Sequence, residues 1–149
     1  MNTFKAHVVI PIDPMPKPRP RVALRGKYPT AYTPAKAKRW ESQFSLFCLP
    51  HAPSTPLVGP VHVTIQFVKR RPKRLMRKKD PDALMWCSGK PDIDNLAKAV
   101  LDALNRSGRW WGDDAQVSRL IATKAYAEKD GEPRVELWVE EIEGGLSWL

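Results

Sequence analysis

The sequence predicts a single α+β domain, a mixed β-sheet with two helices in the order β-α-β-α-β-β. Two stretches, 61–67 and 135–139, alternate apolar and polar residues as half-buried strands do. Two others, 40–47 and 96–104, repeat apolar residues at spacings of three and four, which is typical of amphipathic helices. A chain of 149 residues, 42% of them hydrophobic, suits one globular domain.

The N-terminal third is predicted to hold a strand, a basic loop and a helix. Residues 5–12, KAHVVIPI, form a strand-like run that prolines bring to an end. Residues 14–32 begin with a proline at every second position as far as Pro20, and proline excludes a helix there, so we predict an extended loop. Helix 1 is predicted at about 34–48, with Thr33 as N-cap, Pro34 in the first position and an apolar face formed by Trp40, Phe44 and Phe47.

The middle of the chain is predicted to be a strand, a basic loop and a second helix. Val61, Val63, Ile65 and Phe67 lie on one side of the second strand. Residues 69–79 hold eight basic residues in eleven, without periodicity, which favours a loop reaching to about residue 90. Helix 2 is predicted from Asn95, with Leu96, Val100 and Leu104 on its apolar face, Ala97 and Leu101 beside them, and a C-cap between Asn105 and Gly108.

The last third is predicted to be two antiparallel strands joined by a turn at Asp130–Gly131. Val135, Leu137 and Val139 supply the apolar side of the final strand, and the tail 143–149 is expected to be frayed. The two β-α-β units that precede permit parallel pairing, so the sheet is expected to be mixed.

The chain is strongly basic, with 25 Lys and Arg against 16 Asp and Glu. This excess indicates a polyanionic partner, nucleic acid first and an anionic membrane surface second. No apolar run approaches the roughly 18 residues that span a bilayer, and the N-terminus does not resemble a signal peptide, so we expect a cytoplasmic protein. Cys48 and Cys87 lie in no zinc or redox spacing and are interpreted as reduced structural thiols.

Five of the nine aspartates lie in one short window: Asp92, Asp94, Asp102, Asp113 and Asp114. Helix capping is a sufficient explanation for the DIDN segment alone, but it does not explain the pair at 113–114. If that later loop returns to the start of helix 2, four carboxylates converge, and such like charges are costly unless a cation neutralises them. Oxygen ligands of this kind select Mg²⁺ or Mn²⁺ over zinc.

Three polar residues accompany these aspartates. Lys98 follows Asp94 by one helical turn, so it either reaches the same site or forms an ordinary surface ion pair. Asn95 and Gln116 either orient ligands and water or act as capping and surface residues.

At these residues the sequence resembles the RusA family of Holliday junction resolvases, bacterial and phage endodeoxyribonucleases. The resemblance rests on KPDIDNLAKAVLDAL followed closely by DDAQV, so its strong part covers residues 90–117. It implies catalytic roles for Asp92, Asp94, Asp114 and Lys98, with Asp113 as a helper at the metal. It also implies Mg²⁺ dependence and a homodimer with two active sites.

The reaction expected from this resemblance is hydrolysis of DNA phosphodiesters at a four-way junction, with metal-bound water as the attacking group. Basic residues are expected to hold the DNA phosphates, and the candidates are Lys17, Arg19, Arg21, Arg25, Lys27, Lys69, Arg70, Arg71, Lys73, Arg74 and Lys90. The run 69–79 is alternatively a solvated, disordered loop. Trp110 and Trp111 either stack on unpaired bases or pack in a core or interface, and we favour packing.

Two other functions fit the same residues. One is a nuclease of the same metal chemistry that cuts other branched or flapped DNA. The other is a non-catalytic DNA-binding or phage regulatory protein that keeps its aspartates for capping and folding.

Overall fold

The computed structural model describes residues 3–18, 21–32 and 34–144, and these form an α+β structure with a mixed sheet and two α-helices, as predicted. The elements are β1 Lys5–Ile10, β2 Arg21–Arg25, β3 Tyr28–Tyr32, α1 Ala35–Cys48, β4 Val61–Lys69, β5 Met85–Trp86, α2 Ile93–Ser107, β6 Val117–Tyr126 and β7 Arg134–Glu141. Among the helices of this part of the chain, none is long and apolar enough to cross a membrane.

The main sheet has five strands in the order β1-β7-β4-β6-β5. The unit β4-α2-β6 gives the predicted parallel pair, whereas β7 pairs antiparallel with both β1 and β4. The predicted β6–β7 hairpin is wrong, because β4 lies between the two strands. The turn itself exists, since Gly131 N–H donates to the Glu128 carbonyl at 2.9 Å, but it leads across the end of β4.

The core lies between the sheet and its two helices. The predicted inward faces of β4, β7 and α2 are all confirmed, with each strand residue and each of Leu96, Val100 and Leu104 fully buried. On α1 the prediction is partly wrong: Trp40 and Phe44 are buried, but Phe47 is 43% exposed and Cys48 takes the third inward position. A spacing of four throughout keeps residues 40, 44 and 48 on one helical face.

The predicted element order omits three strands. Residues 21–32 form a β-hairpin, β2–β3, that makes its own two-stranded sheet, where an extended loop was expected. Residues 69–90 contain a 3₁₀ turn at Lys73–Leu75 and the short edge strand β5. Thr33, the predicted cap of helix 1, lies outside the described residues, and Pro34 occupies the N-cap position instead of the first helical one.

Candidate functional site

Helix α2 presents a charged face opposite its buried stripe. Asp94, Lys98 and Asp102 follow one another at intervals of four residues, so they lie along one side of the helix. Asp94 and Lys98 are exposed, and Asp102 is half-buried. The same periodicity that buries Leu96 and Val100 therefore places these charges together at the surface.

Asp92 is the N-cap residue of α2, but its carboxylate is used in an ion pair. In the described part of the chain it makes no hydrogen bond to the helix N-terminus, and Lys90 Nζ lies 2.9 Å from its Oδ1. The hydrogen bond and charge of Lys90, with a smaller contribution from Lys124, hold the pKa of Asp92 below its ordinary value. Both side chains are largely exposed, so this pair is worth little stability.

The second pair of aspartates lies in a short 3₁₀ turn, Asp114–Gln116, immediately before β6. Asp113 caps this turn by accepting from Gln116 N–H, while the Gln116 side chain accepts from the Asp113 N–H at 3.2 Å and the Gly112 N–H at 2.9 Å. The Gln116 amide also donates to the carbonyls of Leu57 and Gly59. Gln116 is thus a capping residue, one of its two predicted alternatives, and it fixes the aspartate pair to the loop before β4.

The turn lies against the charged face of α2, and residues of that face shift the pKa of Asp114. Burial raises the pKa of the Asp114 carboxyl, and a hydrogen bond and charge from Asp113 and the charge of Asp102 raise it further. The ammonium of Lys98 acts in the opposite direction. Asp102, Asp113, Asp114 and Lys98 are therefore electrostatic neighbours, with an excess of negative charge among them.

Lys17 balances part of this charge from the other side. Its Nζ lies 3.1 Å from Asp102 Oδ2, and the two side chains are only 16% and 21% exposed. Its backbone N–H donates to the Asn95 carbonyl at 3.0 Å, so the proline-rich segment lies along α2. Lys17, which was predicted to contact DNA, is thus paired with Asp102 in the structure.

The aspartates do not all converge where the sequence predicted. The turn at 113–114 meets α2 at Lys98 and Asp102, the middle of the helix, and the carboxylate of Asp92 is engaged by Lys90. Within residues 3–18, 21–32 and 34–144, no group of three or more His, Cys, Asp or Glu side chains is arranged to hold a metal ion. The donors are nevertheless all carboxylates, which fit Mg²⁺ chemically, and Mg²⁺ commonly binds one or two carboxylates and completes its shell with water and phosphate oxygens.

The predicted DNA-binding residues divide by exposure. Lys27, Arg70, Lys73, Arg74 and Lys90 are exposed, and Lys69 is half-buried with its ammonium on the Lys90 carbonyl. Arg71 differs from the prediction because it is 6% exposed and donates to backbone carbonyls of Leu75, Pro81, Ala83 and Ala127. Arg19 lies outside the described residues, and for Arg21 and Arg25 only the backbone is described.

Other residues take roles that sequence reasoning weighed or missed. Trp110 and Trp111 are each 1% exposed, which confirms that they pack in the core. Asp102 was not among the predicted site residues, although its position four residues after Lys98 was the signal that could have found it. The pairing of Lys17 with Asp102 had no such signal, because the two residues are distant in sequence.

The sequence was compared with known protein families, and one family matches across the residues of the candidate site. Residues 11–140 match the family described as endodeoxyribonuclease RusA. The chain belongs to the RusA family. The match covers far more than the motif at 90–117: it includes both basic segments and most of the sheet.

Three relatives of this RusA-family chain differ in sequence identity and in the share of the chain that they match. The uncharacterized protein YqaN of Bacillus subtilis (strain 168) is 33% identical over 135 residues, covering 87% of this chain and 92% of that protein. The crossover junction endodeoxyribonuclease rusA of Lactococcus phage r1t is 29% identical over 92 residues, covering 52% of this chain and 67% of the phage protein. The crossover junction endodeoxyribonuclease RusA of Escherichia coli (strain K12) is 45% identical over 51 residues, 34% of this chain and 40% of that protein.

Proposed function

We propose that this chain is a Mg²⁺-dependent endodeoxyribonuclease that cuts four-way DNA junctions in recombination and repair. The observation that carries the proposal is the electrostatic contact of the Asp113–Asp114 turn with Lys98 and Asp102 on α2. Family membership and the names of the phage and E. coli relatives support the substrate. The net charge of +9 suits a polyanionic partner.

The proposed metal ligands are Asp92, Asp94 and Asp114, with Asp113 beside them. When bound, Mg²⁺, or Mn²⁺ in its place, would lower the pKa of a coordinated water and neutralise charge on the scissile phosphate. Water and DNA phosphate oxygens would fill the positions that carboxylates leave open. Lys98, on the same helical face, would contribute positive charge towards the phosphate as negative charge builds up during cleavage.

The proposed assembly is a homodimer. A four-way junction presents two equivalent strands, and a two-fold symmetric pair of chains presents two equivalent sites, so symmetry matches enzyme to substrate. Exposed basic residues on both chains, including Lys27, Lys73 and Arg74, would hold the DNA arms through their phosphates. Contacts with phosphates do not depend on the base sequence, so they suit an enzyme that recognises the branched shape of its DNA.

The test is cleavage of a labelled four-way junction by the wild type and by Asp94→Asn. We expect the wild type to cut with Mg²⁺ and to stop when a chelator is added. Asp94→Asn should bind the junction with unchanged affinity and cut at least about a hundredfold more slowly, because a proposed ligand of the metal is lost. Asp130→Asn, an exposed aspartate in the turn before β7, is the matched control and should cut normally.

Each alternative predicts a different outcome of this assay. Undiminished cutting by Asp94→Asn would remove the metal site from the proposal. Equal cutting of duplex or flapped DNA by the wild type would identify a broader branched-DNA nuclease. A wild type that binds junctions but never cuts them with Mg²⁺ or Mn²⁺ would identify a non-catalytic DNA-binding protein.

A further inference from the structure

The β2–β3 hairpin exposes large apolar side chains that the fold does not use. Leu24 is 77% exposed, Tyr28 is 76% exposed and Val22 is 67% exposed. Leu24 lies opposite Pro29 in the antiparallel register, so these two share one face of the ribbon. Tyr28 lies opposite Arg25 and so faces the other side of the ribbon, which means that both faces near the tip expose an apolar side chain. Apolar groups exposed in this way at one tip indicate a binding partner.

The segment that precedes the hairpin is bound to the charged face of α2. Lys17, four residues before the start of β2, is bound to α2 both through Asp102 and through the Asn95 carbonyl. The hairpin then turns at Gly26, whose φ of +67° suits the first central residue of a two-residue turn. The segment before the hairpin is therefore fixed to α2, the helix that carries Asp94 and Lys98.

The charge of this region selects nucleic acid as the partner. Residues 14–40 contain eight Lys and Arg and no Asp or Glu. Lys27, at the hairpin tip, is exposed. The phosphates of DNA would be attracted to this positive region, which holds no carboxylate side chain of its own.

We propose that the β2–β3 hairpin is a DNA arm that contacts unstacked bases at a branch point through Leu24 and Tyr28. This inference rests on the proposed function and names the feature of the DNA that the enzyme distinguishes. In a continuous duplex the faces of the bases are covered by their neighbours, so only Lys27 and other basic groups have a target there. Where stacking is broken, the Tyr28 ring can stack on the exposed face of a base, and the Leu24 side chain can insert between neighbouring bases.

The test measures binding in chelator, where no strand is cut, to a junction carrying 2-aminopurine at the branch point and to a duplex of the same sequence. We expect Leu24→Ala and Tyr28→Ala each to weaken junction binding about tenfold and to leave duplex binding within about twofold. Tyr28→Phe keeps the ring and should bind as the wild type does. The change in 2-aminopurine fluorescence on binding should be present for wild type and Tyr28→Phe and absent for Tyr28→Ala.

Leu46→Ala is the matched control. Leu46 lies on α1, is 68% exposed and is outside the hairpin, so its loss should change neither affinity. Thermal unfolding and sedimentation of each variant show whether the fold and the association state are unchanged, as expected for side chains this exposed.

Three outcomes would overturn the inference. If the hairpin variants bind the junction with wild-type affinity, the hairpin is not a DNA arm. If they lose affinity for junction and duplex equally, the hairpin makes only a non-specific DNA contact. Loss of self-association in Leu24→Ala identifies a second chain as the occupant. If the variants lose their preference for the junction while the wild type cuts no DNA, the DNA arm is supported and the nuclease proposal is wrong. If the wild type cuts DNA while the variants bind normally, the nuclease proposal is supported and the DNA arm is wrong.

Discussion

The two basic segments of the chain, residues 14–32 and 69–90, differ in what their buried or half-buried cations contact. In the second, Arg71 faces inward and donates to four backbone carbonyls, at 2.9 Å in the case of Ala127. In the first, Lys17 faces a carboxylate on α2, and residues 21–32 form a hairpin with exposed apolar side chains. A high local density of positive charge thus includes a buried structural arginine in one segment and a lysine paired with a helix carboxylate in the other.

The chemistry of the two cations explains the difference. A guanidinium carries five N–H donors in a rigid fork, so Arg71 can satisfy several carbonyls that have no strand partner. An ammonium is a compact point charge and suits a single carboxylate such as Asp102. The segment 69–90 is therefore organised around one buried side chain, whereas the segment 14–32 is fixed to α2 through Lys17.

The largest effect that this comparison predicts is that of Arg71→Ala. Removing the guanidinium leaves the carbonyls of the segment without their donor, so we expect the free energy of unfolding to fall by about 3 kcal/mol. The measurement is equilibrium unfolding in urea.

Two variants of the same segment control that experiment. Arg71→Lys keeps the charge and loses the fork, so it should recover only a small part of the stability. Arg74→Ala removes an exposed arginine three residues away and should change stability by less than about 0.5 kcal/mol. If Arg71→Ala were as mild as Arg74→Ala, the segment would not depend on its buried arginine.

A smaller effect is expected for Lys17→Ala. The Lys17–Asp102 pair is mostly shielded from water, so its loss should lower the free energy of unfolding by about 1–2 kcal/mol, more than an exposed pair. In the background of Asp102→Asn, the same Lys17 substitution should cost almost nothing, because its partner is already neutral. Additive effects of the two substitutions would show that the pair is not energetically coupled.

Much of the sheet and α2 could be predicted because their signal is local. The alternation at 61–67 and 135–139 and the stripe Leu96–Val100–Leu104 each record burial within one element. The pairing of β6 and β7 could not be predicted this way, because an adjacent turn looks the same whether the strands it joins are neighbours or flank β4. The β2–β3 hairpin was missed because the prolines before it dominated the interpretation, although Gly26–Lys27 between two five-residue runs is a hairpin signal.

Part of the candidate site could be predicted, since Asp113, Asp114 and Lys98 do lie near one another, but the geometry could be predicted less well. The crowding of aspartates is visible in the sequence, and the resemblance to the RusA family implied the roles of the individual aspartates and of Lys98. The point where the turn meets α2 depends on the length of the helix and on the tethers from Gln116 to the loop before β4. Those tethers and the Lys17–Asp102 pair join residues far apart in the sequence, and no local pattern encodes them.

The smallest effect expected is the one with the opposite sign, that of Asp114→Asn in the presence of chelator. Burial and the charges of Asp113 and Asp102 raise the pKa of Asp114 above its ordinary value of 3.8, so the folded protein holds this proton more tightly than the unfolded chain does. The stability that this provides is complete below the unfolded pKa and is lost as the pH rises through the folded pKa. At pH 7 the ionised carboxylate therefore works against folding, and its replacement by the neutral amide should raise the midpoint of thermal unfolding by about 2 °C.

Asp92→Asn is the control that separates this effect from a general effect of removing negative charge. The pKa of Asp92 is lowered by Lys90, so its charge favours folding slightly, and its replacement should leave the midpoint unchanged or reduce it. Lys17→Ala and Asp114→Asn should then move the midpoint in opposite directions, because one removes a cation from the acidic cluster and the other removes an anion. If both lowered it, the hydrogen bonds of the 113–116 turn, and not the balance of charge, would govern the stability of this face of α2.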